Sequence, residues 1–189
     1  MGSEMCIRDR LDGLYMGQPF YMEYETRFNN KKNYEDIFHQ FFNVYELLRD
    51  KKTGLYYHAF DSSREMFWCD KETGLSKHFW LRALGWYAMA LLDTLDKCEP
   101  TGYEKEYERL KQIFVEYMET ILKYQDESGM WYQIPDMGGR ERNYLETSGS
   151  SIMAYALLKG VRLGFLPESY RENAKKAMDG ICEKYLHTE

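Results

Sequence analysis

The sequence has no apolar run near the ~18 residues that a membrane-spanning helix needs, so no membrane partner is expected. It has no block of Lys or Arg. Basic residues number 25 against 31 acidic, a net charge of −6, so no nucleic-acid partner is expected. Its four cysteines (Cys6, Cys69, Cys98, Cys182) lie far apart, with no C-x-x-C pair and no Cys/His cluster at metal-ligand spacing. This usage predicts free thiols in a reducing compartment and no metal. No apolar stretch marks a signal peptide at the start, which adds to the expectation of a cytoplasmic protein. What is present is 44% apolar and 30% charged residues in a chain of 189, the balance of one globular domain.

The first ten residues, Met1 to Arg10, carry no helical stripe and run abruptly into Leu11-Asp12-Gly13-Leu14-Tyr15-Met16. They read as a non-native leader, and residues 11–189 as an incomplete domain. The polar tail Glu183 to Glu189 reads, like the start, as a cut.

Between these ends the pattern is helical throughout, which predicts an all-α fold. In residues 102–125 the apolar positions Tyr103, Tyr107, Leu110, Phe114, Tyr117 and Ile121 step by three and four along a charged helix. Such a helix buries one face and wets the other. Residues 33–50 and 168–186 read the same way. Residues 79–95 are instead apolar almost all round, the mark of a helix buried on every side, and residues 14–28 and 149–163 are similarly poor in charge. The order is inner helix, outer helix, three times. Two echoes support a true repeat. Thr53-Gly54-Leu55-Tyr56-Tyr57-His58 returns as Ser128-Gly129-Met130-Trp131-Tyr132-Gln133, and Tyr87-Ala88-Met89-Ala90-Leu91-Leu92 as Met153-Ala154-Tyr155-Ala156-Leu157-Leu158. Stacked helical hairpins with buried inner helices predict a ring, of which three hairpins make only a part, so apolar side chains on the first and last helices are expected to be more exposed than their patterns imply.

Stacked hairpins run their inner helices parallel, so the helix N-termini share one rim. Asp12, His78, Arg82, Trp86 and the Thr147-Ser148-Gly149-Ser150-Ser151 run all fall there, and the loop carrying His58 enters from the same side. Each has a plain structural reading as well. Asp12 suits an N-cap, a role compatible with chemistry. Arg82, the only charge between His78 and Asp93, must pair with an acid or face a cavity. Trp86, one turn further on the same face, suits a core. His58 suits a hydrogen-bonded loop, and Lys77-His78 a solvated helix start. The Ser-rich run suits close packing and capping, because no G-x-S-x-G elbow supports a serine nucleophile.

The residues Leu11-Asp12-Gly13-Leu14-Tyr15-Met16, His58, Gly74 to Ala90 with its Arg82-x-x-x-Trp86 element, and Asn143-Tyr144-Leu145-Glu146-Thr147-Ser148 together resemble glycoside hydrolase family 105. These are the unsaturated rhamnogalacturonyl hydrolases, similar also to the unsaturated glucuronyl hydrolases of family 88. The resemblance runs from about Leu11 to the C-terminus. It implies an (α/α)6 toroid of six helical hairpins, about half of it present here as three inner/outer pairs. It implies Asp12 as catalytic acid/base and His58, Arg82 and Trp86 as residues around the substrate. The family's further active-site aspartate, upstream of Asp-Gly-Leu-Tyr-Met, has no match in this sequence. The implied partner is an oligosaccharide ending in a 4,5-unsaturated uronic acid. The implied activity removes that residue by hydrating its vinyl ether double bond, with no cofactor or metal. The alternatives are another unsaturated glucuronyl or galacturonyl specificity, or a non-catalytic helical-repeat binding module.

Overall fold

The structure, a computed structural model, describes residues 10–186; residues 1–9 of the expected leader and the last three residues lie outside them. Six α-helices account for the described fold: α1 (Gly13–Phe28), α2 (Tyr34–Leu48), α3 (Leu81–Lys97), α4 (Glu104–Leu122), α5 (Thr147–Arg162) and α6 (Tyr170–Tyr185). A short 3-10 turn, Pro135–Met137, interrupts the long segment before α5. None of these helices is long and apolar enough to cross a membrane.

The two helix types separate as their patterns require. Helix α3 buries residues on every side, from Leu81, Ala83 and Leu84 through Tyr87 and Ala88 to Leu92 and Leu95. Helix α4 buries only Leu110, Ile113, Phe114, Tyr117, Met118, Thr120 and Ile121, one stripe at helical spacing. The inner helices form a row, α1 against α3 against α5. They run parallel, because their ends pair in order. Tyr15 meets Trp86 near the starts of α1 and α3, and the Thr26 hydroxyl donates to the Lys97 carbonyl near their ends. Likewise Leu81 abuts Gly149 where α3 and α5 begin, and Lys159 pairs with Asp93 and Asp96 toward their ends. The outer helices return antiparallel. The Tyr117 hydroxyl, late in α4, donates to the Leu84 carbonyl early in α3 at 2.8 Å, and the Tyr185 hydroxyl, at the end of α6, donates to the Leu145 carbonyl just before α5.

Close approach within the inner row depends on small residues. A Cβ on Gly149 would lie 2.6 Å from Leu81 Cγ, and one on Gly85 3.0 Å from Ile152. The expected repeat in the loops is real at atomic level. Asp50 and Asp126 each open a tight turn in which the carboxylate accepts from the backbone N–H of Thr53 or Ser128, and Gly54 or Gly129 supplies φ of +77° or +87°. A third copy, Asp70 to Leu75 with Gly74 at +79°, was not among the expected repeats.

One expectation needs correction. The second inner helix begins at Leu81 rather than Phe79, because Trp80 is extended (φ −114°, ψ 116°) and Phe79 packs into the core ahead of the helix. Helix α1 is less enclosed than α3, as expected of the first helix. It buries Leu14, Gln18, Met22 and Glu25, while Met16, Phe20, Tyr24 and Phe28, at four-residue spacing, line an exposed face. It stands at the end of the row, with no further inner helix beside it among the described residues. Phe20 and Phe28 are 75% and 73% exposed, and a contiguous apolar face of this kind favours association. Sedimentation equilibrium is expected to show concentration-dependent association, with Phe20→Asp combined with Phe28→Asp shifting the protein toward monomer. A parent protein that stays monomeric at all concentrations contradicts this.

Candidate active site

The rim is assembled by one backbone device used twice. The Leu11 N–H, entering α1, donates to the His58 carbonyl at 2.7 Å. The Leu81 N–H, entering α3, donates to the Gln133 carbonyl at 2.9 Å. In each hairpin the loop after the outer helix is thereby stitched to the start of its own inner helix. Asp12 and Arg82, the next residues, therefore occupy equivalent places, and His58 and Gln133 are equivalent loop residues. This is why residues distant in sequence share one end of the helix row.

Asp12 is the N-cap of α1 but makes no side-chain capping bond there, and it is only partly buried. Its carboxylate is thus not used up on the first-turn N–H groups, as a purely structural cap would be. His58 is also partly buried. Its Nδ1–H donates to the His78 carbonyl at 3.2 Å, which turns the imidazole toward Trp80, edge to face at 6.1 Å between centroids. The loop that leaves His58 is braced by Asp61, whose carboxylate accepts from the N–H of Met66, the hydroxyl and N–H of Ser63 and the N–H of Glu65. These donors, Met66 foremost, hold the Asp61 carboxyl down at about 2.

Arg82 resolves the question its isolation poses, because it both pairs with an acid and stays accessible. Its Nη1 lies 3.5 Å from Glu146 Oε1 and 3.5 Å from Gln133 Oε1, and its plane lies over the Trp80 ring at 4.3 Å. The side chain remains 35% exposed while that of Glu146 is 9% exposed. Gln133 also meets the Tyr144 hydroxyl. Trp86, one turn deeper, packs its ring 5.0 Å from that of Tyr15, so the wall below Asp12 is shared between α1 and α3. The Ser-rich run gives the expected close packing, Gly149 against Leu81, but the cap of α5 is Glu146, whose carboxylate accepts from Ser148 and Gly149; Lys77 is solvent-exposed.

The structure thus connects His58, Trp80, Arg82, Gln133, Tyr144 and Glu146 in one network, with Asp12 tied to it through the Leu11–His58 bond. Sequence reasoning missed Trp80, Gln133, Tyr144 and Glu146 as members. A signal existed for Gln133, which aligns with His58 in the loop repeat. None existed for the pairing of Glu146 with Arg82, which only tertiary contact reveals.

A row of parallel inner helices backed by antiparallel outer ones, with an acid, a guanidinium and aromatic rings at its N-terminal rim, defines the α/α-toroid class. Residues 9–189 match the model of Glycosyl Hydrolase Family 88, and the chain belongs to that family. It is 38% identical over 164 residues to Protein Atu3128 of Agrobacterium fabrum, covering 86% of this chain and 67% of that one. It is 30% identical over 172 residues to the unsaturated rhamnogalacturonyl hydrolase YesR of Bacillus subtilis, covering 91% of this chain and 45% of YesR. A solved family 105 glycoside hydrolase from Clostridium acetobutylicum superposes with a TM-score of 0.89 at 49% identity, covering 95% of this chain and 50% of that structure. The chain therefore spans about half the length of that enzyme.

Proposed function

We propose that the protein is a glycosidase of the unsaturated rhamnogalacturonyl type, releasing a 4,5-unsaturated uronyl residue from the end of a pectin-derived oligosaccharide. The observation that carries this reading is that the elements bearing Asp12, His58 and Arg82 are joined at one rim, through the Leu11–His58 bond and the Trp80 ring, with Asp12 free of its capping duty. The similarity to YesR supports the rhamnogalacturonan substrate over other unsaturated uronides.

The double bond C4=C5 of such a residue is a vinyl ether that also bears the carboxylate. In the proposed reaction the Asp12 carboxyl gives its proton to C4, leaving an oxocarbenium ion across C5 and the ring oxygen. The Asp12 carboxylate then takes a proton from the water that adds to C5, so one residue serves as acid and base in turn. The resulting hemiketal opens to a ketone, and the C1 hemiacetal it leaves expels the aglycone as an alcohol. This differs from two-carboxylate displacement at the anomeric carbon. Arg82 receives the substrate carboxylate, His58 a hydroxyl, and Trp86 offers an apolar ring face.

The test is loss of the double bond's ultraviolet absorbance with an unsaturated rhamnogalacturonan disaccharide, beside an unsaturated glucuronyl disaccharide and a saturated analogue. The rhamnogalacturonan substrate is expected to be consumed fastest and the saturated one not at all. Faster turnover of the glucuronyl substrate would reassign the specificity. Hydrolysis of the saturated analogue at a similar rate would overturn the hydration chemistry, and no turnover of any of the three would favour a binding module.

A further inference from the structure

We infer that Glu146 is a positioning residue for Arg82, fixing its guanidinium so that one edge is presented as a two-pronged receptor for the substrate carboxylate. This rests on the function proposed above. Both side-chain contacts of Arg82, to Glu146 Oε1 and Gln133 Oε1, fall on the same nitrogen, Nη1. Trp80 covers the face of the plane. Among the described residues, the Nε and Nη2 donors take no partner, although the side chain is partly exposed. These two parallel N–H groups form the edge that matches a carboxylate bidentately. An arginine retained only to neutralise a buried acid would direct that edge at the acid, where it binds best.

Glu146 is suited to hold Arg82 because it is itself held. Its carboxylate accepts from the Ser148 N–H at 3.3 Å, the Ser148 hydroxyl at 2.8 Å and the Gly149 N–H at 2.5 Å, all at the N-terminus of α5. Its own N–H donates to the Trp131 carbonyl at 2.8 Å. The amide dipoles at the helix N-terminus point at this carboxylate, the end of a helix where an acidic side chain is favoured. Oε1 serves Ser148 and Arg82 together, which makes the start of α5 the fixed point from which the rim of α3 is aligned. Gln133, itself engaged by Tyr144, contacts the same Nη1.

The experiment compares Glu146→Gln, Gln133→Met, Arg82→Gln and the Glu146→Gln/Arg82→Gln double variant in the full chain, each checked for an intact circular dichroism melt. Glu146→Gln keeps an oxygen for the α5 amides but removes the charge. It is expected to raise KM for the unsaturated disaccharide by about tenfold or more with kcat changed by less than about threefold, since ground-state alignment of the carboxylate is what is lost. Gln133→Met should raise KM in the same direction by less. In the Arg82→Gln background, Glu146→Gln should add nothing further, the non-additivity expected of residues acting through one another. An equal KM effect in both backgrounds, or an unchanged KM, overturns the inference. A second readout does not depend on the substrate being correct. The Arg82 Nε–Hε resonance should be sharp and slow to exchange in the parent and broadened in Glu146→Gln and, to a lesser degree, in Gln133→Met. An Arg82 signal unaltered by both substitutions overturns the positioning role even if no unsaturated uronide is turned over, whereas an altered signal without turnover faults only the proposed function.

Discussion

Asp12→Asn is expected to lower kcat for an unsaturated rhamnogalacturonan disaccharide by about 10²–10⁴, the usual contribution of a general acid–base group. Asparagine keeps the shape and an N-cap acceptor but has no transferable proton. The fold should hardly notice, because the Asp12 side chain makes no capping bond in the first turn of α1. The melting temperature should therefore stay within a degree or two while the double bond's absorbance persists. This separates the chemical role from the structural one. A residue that is only a cap would keep both stability and turnover with asparagine in its place, whereas an acid/base residue keeps stability and loses turnover. Full activity in Asp12→Asn would return Asp12 to being a helix cap. Substituting Arg82 by Lys should act differently, raising KM more than it lowers kcat, because lysine keeps the charge but loses the planar fork that rests on Trp80.

The largest stability effect is expected at Trp131. Its side chain is fully buried, its indole N–H donates to the Ile121 carbonyl at the end of α4 at 2.8 Å, and its backbone N–H donates to the Ser150 hydroxyl in α5 at 3.0 Å. Trp131→Ala should cost about 3–5 kcal/mol, from lost apolar burial and the cavity left behind. The Ile121 carbonyl would also lose a partner inside the core. A urea titration checks this through the shift in midpoint, and a loss below about 1 kcal/mol would contradict it. The substitution should also reach the rim. The Trp131 carbonyl accepts from Glu146, and Gln133 lies two residues further along the same extended segment. Near physiological temperature, the variant that remains folded should bind substrate more weakly, the change appearing in KM through a loosened Arg82.

How much of this was legible before the structure depends on the range of the interaction concerned. Helix identity is local. The stripe from Tyr103 to Ile121 repeats every three or four residues, so residues 104–122 form an amphipathic outer helix, and the near-continuous apolar run around Tyr87 forms a buried inner one. The turn chemistry is local too, since Thr53-Gly54 and Ser128-Gly129 carry the left-handed glycine and the side chain that the turn requires. Helix order and short connections then place the inner helices parallel, so the clustering of Asp12, His58 and Arg82 at one rim follows from chain order alone. The exact entry of a helix does not. Helix α3 starts at Leu81 because that N–H is claimed by the Gln133 carbonyl, a bond made across the fold.

The sequence by itself therefore determined the helix pairs, their inner and outer types, the repeating turns and the rim on which the polar residues gather, because each depends on neighbours within a few turns of chain. Only the tertiary structure decided that Arg82 is held by Glu146 and by Gln133, 51 residues away, that Asp12 is released from capping, and that Met16, Phe20, Tyr24 and Phe28 are the residues α1 turns outward. The physical reason is that a partly buried charge takes its partner from whatever the packing of other elements brings within about 4 Å. The face a helix buries depends likewise on what stands beside it, and neither is written in the spacing of the residues themselves.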